Sequence, residues 1–318
     1  MATRSLQSLL TGLIDYAGLF PPARLSMQAA VEDYTRARMS AHEWVLSRFI
    51  CPASRLDEFE KAASPLFPGT FATSGYREHA GAGDPWEISV LIDSPGVEGL
   101  KKDLARIAAF NARHAKEDAG EAAIDMIELK APTPSFIDDA IALIPDEIYP
   151  FFEFPITQDC RGFVAALAGN AAGAKVRTGG LTPDLIPPTP ALAEFLKACA
   201  AVDIPFKATA GLHHPVRSEY PLDTAPGAPR GIMHGFFNVF IGACLVKERG
   251  IDDATLHAVL DERVAANFRF ADTGVHWRDE SLDTTELAHL REAFALSFGS
   301  CSFDEPIDDL IKFELLEP

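Results

Sequence analysis

Seven ionisable residues stand at or near the ends of short apolar runs: Arg48, Asp93, Lys130, Glu153, Lys175, Arg177 and Lys207. A strand buried on both faces should be almost wholly apolar. A charge placed there is costly unless it is paired or serves a ligand. Period-two alternation puts Lys175 and Arg177 on one face of AKVRT, with Val176 and Thr178 on the other. It puts Lys207 with Thr209, Glu153 opposite Phe152 and Phe154, and Lys130 on the side of Glu128 and Met126. With the apolar partners packed under helices, the charges face a common interior. Basic members outnumber acidic ones, so the expected site is locally positive and suits the carboxylate or phosphate of a small substrate. A lumen salt-bridge network, Glu153 with Lys175 or Lys207, is the purely structural alternative.

The chemistry such a set could do is specific. A lysine desolvated near other cations has a depressed pKa and can attack a carbonyl to form a Schiff base. Lys175 and Lys207 are the candidates, with Glu153 as the nearest carboxylate for proton transfer. Arg177 stays charged and is suited to hold an anion, and Lys130 and Arg48 extend the basic set. Gly179 and Gly180 follow Arg177 and would let backbone N–H groups approach a ligand, although a plain turn uses such a pair equally well.

Three histidines form a second group. His213 and His214 follow the Lys207 run, and His234 opens the next helical stretch in IMHGFFNVF. One reading is a catalytic divalent metal whose shell Asp93 and Glu153 would have to complete. No HxH or HExxH spacing supports it, and adjacent histidines in extended chain point opposite ways. The other reading makes His213 a general acid/base and His214 a substrate contact. His234 then meets an anion at a helix start, and Asn238 lies one turn on. Ser302 and Glu305 read as a capping box before Pro306, and Cys301 as a small core residue. Asp15, in DYAGLFPPA, either points into the mouth or belongs to a turn held by the prolines.

The elements that must position these residues alternate along the chain. Strands are expected at Leu13–Tyr16, Val45–Ile50, Glu87–Asp93, Ile124–Lys130, Ile148–Pro155, Ala174–Thr178, Pro205–Thr209 and Phe268–Ala271. Helices are expected between them at Ser26–Met39, Arg55–Ala63, Val97–Lys116, Ser135–Leu143, Cys160–Asn170, Pro190–Ala201 and Ile232–Arg249. Asp253–Ala266, Thr284–Phe298 and a tail helix follow. This is the pattern of a (β/α)8 barrel, one domain over residues 1–318, with insertions at about 64–86 and 211–231. The second insertion leaves a strand end and would lie over the mouth.

The segments AKVRTGGL (Ala174–Leu181) and PFKATAGLHH (Pro205–His214) resemble the sixth and seventh strands of deoxyribose-phosphate aldolase-type class I aldolases. Those strands read as a lysine followed by Thr/Ser/Gly, then a second lysine followed by Ala-Ser-Gly-Gly. The resemblance implies a barrel in which the sixth-strand lysine forms the Schiff base and the seventh-strand lysine lowers its pKa. Lys207 matches the second lysine. The first match departs: Arg177 takes the aligned position, and Lys175 sits two residues earlier. Arginine cannot form an imine.

The bulk properties narrow the partners. The 318 residues carry 28 Lys+Arg against 46 Asp+Glu, a net charge of −18, which disfavours nucleic acid and anionic membrane surfaces. Five dispersed cysteines without a CxxC pair argue against a disulfide framework or zinc ribbon, so a cytoplasmic setting is expected. No apolar run approaches the roughly 20 residues that span a bilayer, and the first residues lack the pattern of a signal peptide. Walker A, GxGxxG and GxSxG motifs are missing. The expectation is an enzyme, a lyase (aldolase-like) or isomerase, acting without a cofactor on a small anionic carbonyl compound. A metal-dependent hydrolase or lyase using His213, His214 or His234 is the alternative. A barrel that only binds a small anion is the third reading. A homo-oligomer is compatible with each.

Overall fold

The computed structural model describes residues 2–69, 84–116 and 119–318. The strands are β1 (Ile14–Tyr16), β2 (Leu46–Pro52), β3 (Trp86–Leu91), β4 (Ala122–Lys130), β5 (Tyr149–Glu153), β6 (Gly173–Arg177), β7 (Phe206–Thr209), β8 (Ser218–Pro221), β9 (Arg230–Met233), β10 (Phe268–Ala271), β11 (Gly274–Trp277), β12 (Glu280–Asp283) and β13 (Ala295–Ser300). β1 to β7 and β13 close into an eight-stranded, all-parallel barrel in the order β1-β13-β7-β6-β5-β4-β3-β2. The chain is a (β/α)8 barrel.

Helices cross between consecutive barrel strands because parallel neighbours need a long return path. Their apolar faces pack against the barrel. Leu56–Ala63 buries Leu56, Phe59 and Ala63 while Asp57 and Glu58 face outward. Thr284–Ala293 is started by a capping box in which Asp283 and Glu286 each satisfy the other's backbone N–H. Phe236–Arg249 is buried from Phe236 through Val246 and stops at Gly250, whose φ of 61° is the left-handed end cap. Burying a Phe or Leu side chain on these faces contributes about 1.5–3 kcal/mol each.

Three expectations need correction in the last third of the chain. The eighth strand is Ala295–Ser300, not Phe268–Ala271. The latter pairs antiparallel with β11 in a separate three-stranded sheet, β10-β11-β12. The stretch expected as one helix to Phe298 breaks at Phe294, and the small residues of ALSFGS then enter the barrel, where most are buried. The helix expected from Ile232 begins at Phe236, because Arg230–Met233 is β9.

The long connection at 211–231 is ordered as an antiparallel hairpin. β8 pairs with β9 from Ser218 opposite Met233 to Pro221 opposite Arg230. Of the insertion at about 64–86, residues 70–83 lie outside the described residues. Where the hairpin segment leaves the barrel, Gly211 has φ 77° and its backbone crosses that of Gly179. A Cβ on either would come within 2.9 Å of the other's Cα. No helix among the described residues is long and apolar enough to cross a membrane.

Candidate active site

Strand register assembles the site. Lys130 lies opposite Glu153, Glu153 opposite Lys175, and Lys175 opposite Lys207, one row across β4, β5, β6 and β7. Within the lumen these side chains join two carboxylates from other layers. Glu128 Oε1 accepts from Lys207 Nζ at 2.5 Å, and Glu128 Oε2 from Lys175 Nζ at 2.7 Å. Asp15 Oδ2 accepts from Lys207 Nζ at 2.8 Å and from Ser297 Oγ at 2.5 Å. Glu153 Oε2 accepts from Lys175 at 2.9 Å, and its Oε1 from Arg177 Nε at 3.2 Å. Ser89 Oγ also donates to Glu128, at 2.9 Å.

The result is an alternating chain, Asp15–Lys207–Glu128–Lys175–Glu153–Arg177, with as many carboxylates as cations. The expected excess of positive charge inside the lumen is therefore corrected: Asp15 and Glu128 balance it. Such pairing is what makes buried charge tolerable. Burial opposes the charged forms of Glu128 and Glu153. Their cations outweigh it, Lys175 and Lys207 for the first, Lys175 and Arg177 for the second, and hold both below the ordinary carboxylate range. Lys175 is likewise disfavoured by burial yet held above the ordinary lysine range by Glu128 and Glu153. The premise of a lysine depressed by neighbouring cations does not hold for it: its immediate partners are anions.

Above this chain opens a cavity of about 1050 Å³ at the C-terminal ends of the strands. Lys130, Lys175, Arg177, Glu128 and Glu153 reach it, together with Gly180. Lys207 does not; it is fully buried beneath, its ammonium 5.5 Å from the Phe151 ring centre. Lys130 makes no ion pair, and the terminal nitrogens of Arg177 have no partner, among the described residues. The apolar part of the wall comes from Phe20, Ile50, Leu91, Leu181, Leu222 and Met233. The hairpin is held across the mouth by Arg24, which meets Asp223 at 3.1 Å.

The far wall is the histidine wall. The helix Asp304–Lys312 follows β13, and its Glu305 and Asp309 lie one turn apart on the face toward the cavity. His213 Nδ1 stands 2.9 Å from Glu305 Oε2. His214 Nδ1 meets Asp309 Oδ2 at 2.6 Å, with its Nε2 3.7 Å from Glu305 Oε1. Tyr220 of the hairpin stacks on His214, ring centres 3.4 Å apart at 12°. Burial keeps the His214 pKa below its ordinary value despite the two carboxylates. The expected capping box is half present: Ser302 Oγ accepts the Glu305 N–H at 3.1 Å, but the Glu305 side chain turns to His213 instead.

Other expected site residues lie elsewhere. Arg48 sits third in a seven-residue strand and binds Asp125 at 2.7 Å and Glu87 at 3.3 Å, away from the cavity. Asp93 accepts from the backbone and hydroxyl of Ser54. His234 is enclosed: Nε2 donates to the Pro187 carbonyl and Nδ1 accepts from Arg217, both at 2.8 Å. Burial pushes its pKa down to about 4, so it is neutral at pH 7. Asn238 donates to the Val259 and Glu262 carbonyls and accepts from Arg217 N, which ties the loop to two helices. Gly179 serves the crossing with Gly211. Among the described residues, no three His, Cys, Asp or Glu side chains converge as a metal site.

Compared with models of known protein families the chain matches none, and no curated protein is significantly similar to it. Fold and site define its class: a (β/α)8 barrel with a charge-lined cavity at the strand ends, where enzymes of this fold carry out their chemistry.

Proposed function

We propose that the protein is an aldolase-like lyase or isomerase that takes a small anionic carbonyl compound and binds it covalently through Lys175. One observation carries this reading. Of the register partners Lys175 and Lys207, Lys175 alone reaches the cavity, with a carboxylate on each side and the unpartnered terminal nitrogens of Arg177 at the same cavity. Arg177 and Lys130 hold the anionic end of the substrate, leaving its carbonyl beside Lys175.

The steps follow from the contacts. Lys175 first passes a proton to Glu153. Its nitrogen lone pair then forms a C–N bond with the carbonyl carbon. The carbonyl oxygen takes one proton from that nitrogen and one from Glu153 and leaves as water, giving the iminium. Lys207 assists from below. By occupying the other oxygen of Glu128 it reduces the negative potential that Glu128 offers Lys175, which eases loss of the Lys175 proton. The aldolase resemblance assigns the same influence to the seventh-strand lysine.

The test is borohydride reduction in the presence of pyruvate, 2-oxobutanoate or glycolaldehyde, followed by peptide mass spectrometry. The expected result is one adduct, on Lys175, lost in Lys175→Met. Labelling confined to surface lysines, or none, would overturn the proposal.

A further inference from the structure

We propose that His213 is the base that moves the carbon-bound proton next to the imine, with Glu305 as the residue that positions it. This rests on the imine reading above and adds the step that makes an imine useful. Once the iminium has formed, His213 Nε2 takes a proton from the adjacent carbon. The C–H electron pair becomes the C=C bond of an enamine, and the C=N π pair moves onto nitrogen. The reverse step returns the proton.

The partners of the other groups leave few alternatives. Glu153 is engaged by Lys175 and Arg177, and Glu128 by both lysines. Among the acids and bases of the upper wall, Asp304 is tied to Arg36, Asp223 to Arg24, and Asp309 to His214 and Lys312. His214 has Nδ1 on Asp309 and its ring face covered by Tyr220. Asp308 also lines the cavity but makes no hydrogen bond or ion pair among the described residues that would orient it.

His213 differs from all of these. Its Nδ1 is buried 2.9 Å from Glu305 Oε2, a close approach in which no hydrogen bond is formed, while Nε2 has no protein partner among the described residues, on a side chain that lines the cavity. Burial opposes the charge on Glu305, but His213 outweighs it and keeps the carboxyl ionised. In the proposed step an ionised Glu305 takes Nδ1–H as its donor, which leaves the lone pair on Nε2, the arrangement by which a carboxylate orients a catalytic imidazole. When Nε2 takes a proton, the same carboxylate stabilises the imidazolium. The substrate class follows: carbonyl compounds that carry a C–H bond next to the carbonyl, anionic at the other end.

Exchange of the pyruvate methyl protons in D2O, followed by proton NMR, reads this step separately from imine formation. His213→Gln should still trap pyruvate on Lys175 with borohydride, which also reports an intact site, yet exchange about 10²–10⁴-fold more slowly. Glu305→Gln should lower kcat for exchange with KM for pyruvate unchanged, whereas a merely structural role would lower trapping and exchange together. Exchange at the wild-type rate in a His213→Gln protein that traps normally would overturn the inference and leave the imine intact. A wild-type protein that neither traps nor exchanges pyruvate would remove the imine and the base with it.

Discussion

Lys175 and Lys207 begin as equals: register partners on adjacent strands, each with its ammonium on one oxygen of Glu128. What lies on the other side separates them. Lys207 turns to Asp15, with Met126 Sδ at 3.6 Å and the Phe151 ring nearby, and is sealed below the cavity. Lys175 turns to Glu153, which opens through Arg177 onto the cavity. The histidines repeat the contrast. His234 has both ring nitrogens hydrogen-bonded to protein, whereas His213 has only the close approach of Nδ1 to Glu305 among the described residues. Residue type and depth thus do not tell these pairs apart; access to the cavity and the remaining hydrogen-bonding partners do.

The sharpest way to break this contrast is Lys207→Met. It leaves Asp15 and Glu128 without their shared cation and should cost about 3–5 kcal/mol in urea unfolding. Lys175→Met should cost less, since Glu153 keeps Arg177 and water can enter from the cavity. Equal losses would erase the distinction between sealed and open. Next comes His234. Its folded pKa of about 4 lies below that of a free histidine, so the unfolded chain binds more protons in the window between them. Stability should therefore fall as pH drops from about 6.5 to 4, by roughly 3 kcal/mol. His234→Gln, which can keep both hydrogen bonds, should flatten that slope in unfolding curves taken across the window.

Smaller effects probe the open side. Arg177→Gln should weaken pyruvate binding by about 1.5–3 kcal/mol in calorimetry, the scale of a hydrogen bond to a charged group, with little change in unfolding. Lys130→Gln, at an exposed single-point contact, should cost only about 0.2–1 kcal/mol of the same affinity. A larger loss at Lys130 than at Arg177 would place the anion on the wrong side of the cavity.

Much of the barrel could be read from the chain before the fold was in view. β2 to β7 are apolar runs bounded by Pro, Gly or polar turns, and alternation correctly put Lys130, Glu153, Lys175 and Arg177 on the lumen side. β13 escaped because Ala-Leu-Ser-Phe-Gly-Ser has no β-branched residue and continues a helical period; only its partners on both sides make it a strand. The hairpin escaped because Ser-Glu-Tyr-Pro and Arg-Gly-Ile-Met alternate weakly, as an exposed two-stranded ribbon can. Glu128 was visible as a charge in the middle of a buried run, and that was the signal to weigh. Glu305 was masked by a plausible capping motif. Arg48 was placed too high because a position within a strand does not reveal height in the barrel without the stagger of its neighbours.

The pairing of β1 with β13 joins residues from near opposite ends of the described chain, with Asp15 opposite Gly299. Contacts so distant in sequence carry a large loop-closure cost and slow the search for the native topology. Until β13 docks, β1 and β7 each present a bare edge, the form in which sheets pair with the wrong chain. The same docking brings Ser297 to Asp15 and the carboxylates of Glu305 and Asp309 to the histidine wall. Assembly of the candidate site therefore depends on the seam that closes the barrel, and a chain without that seam would hold both lysines but neither Ser297 against Asp15 nor the carboxylates of the histidine wall.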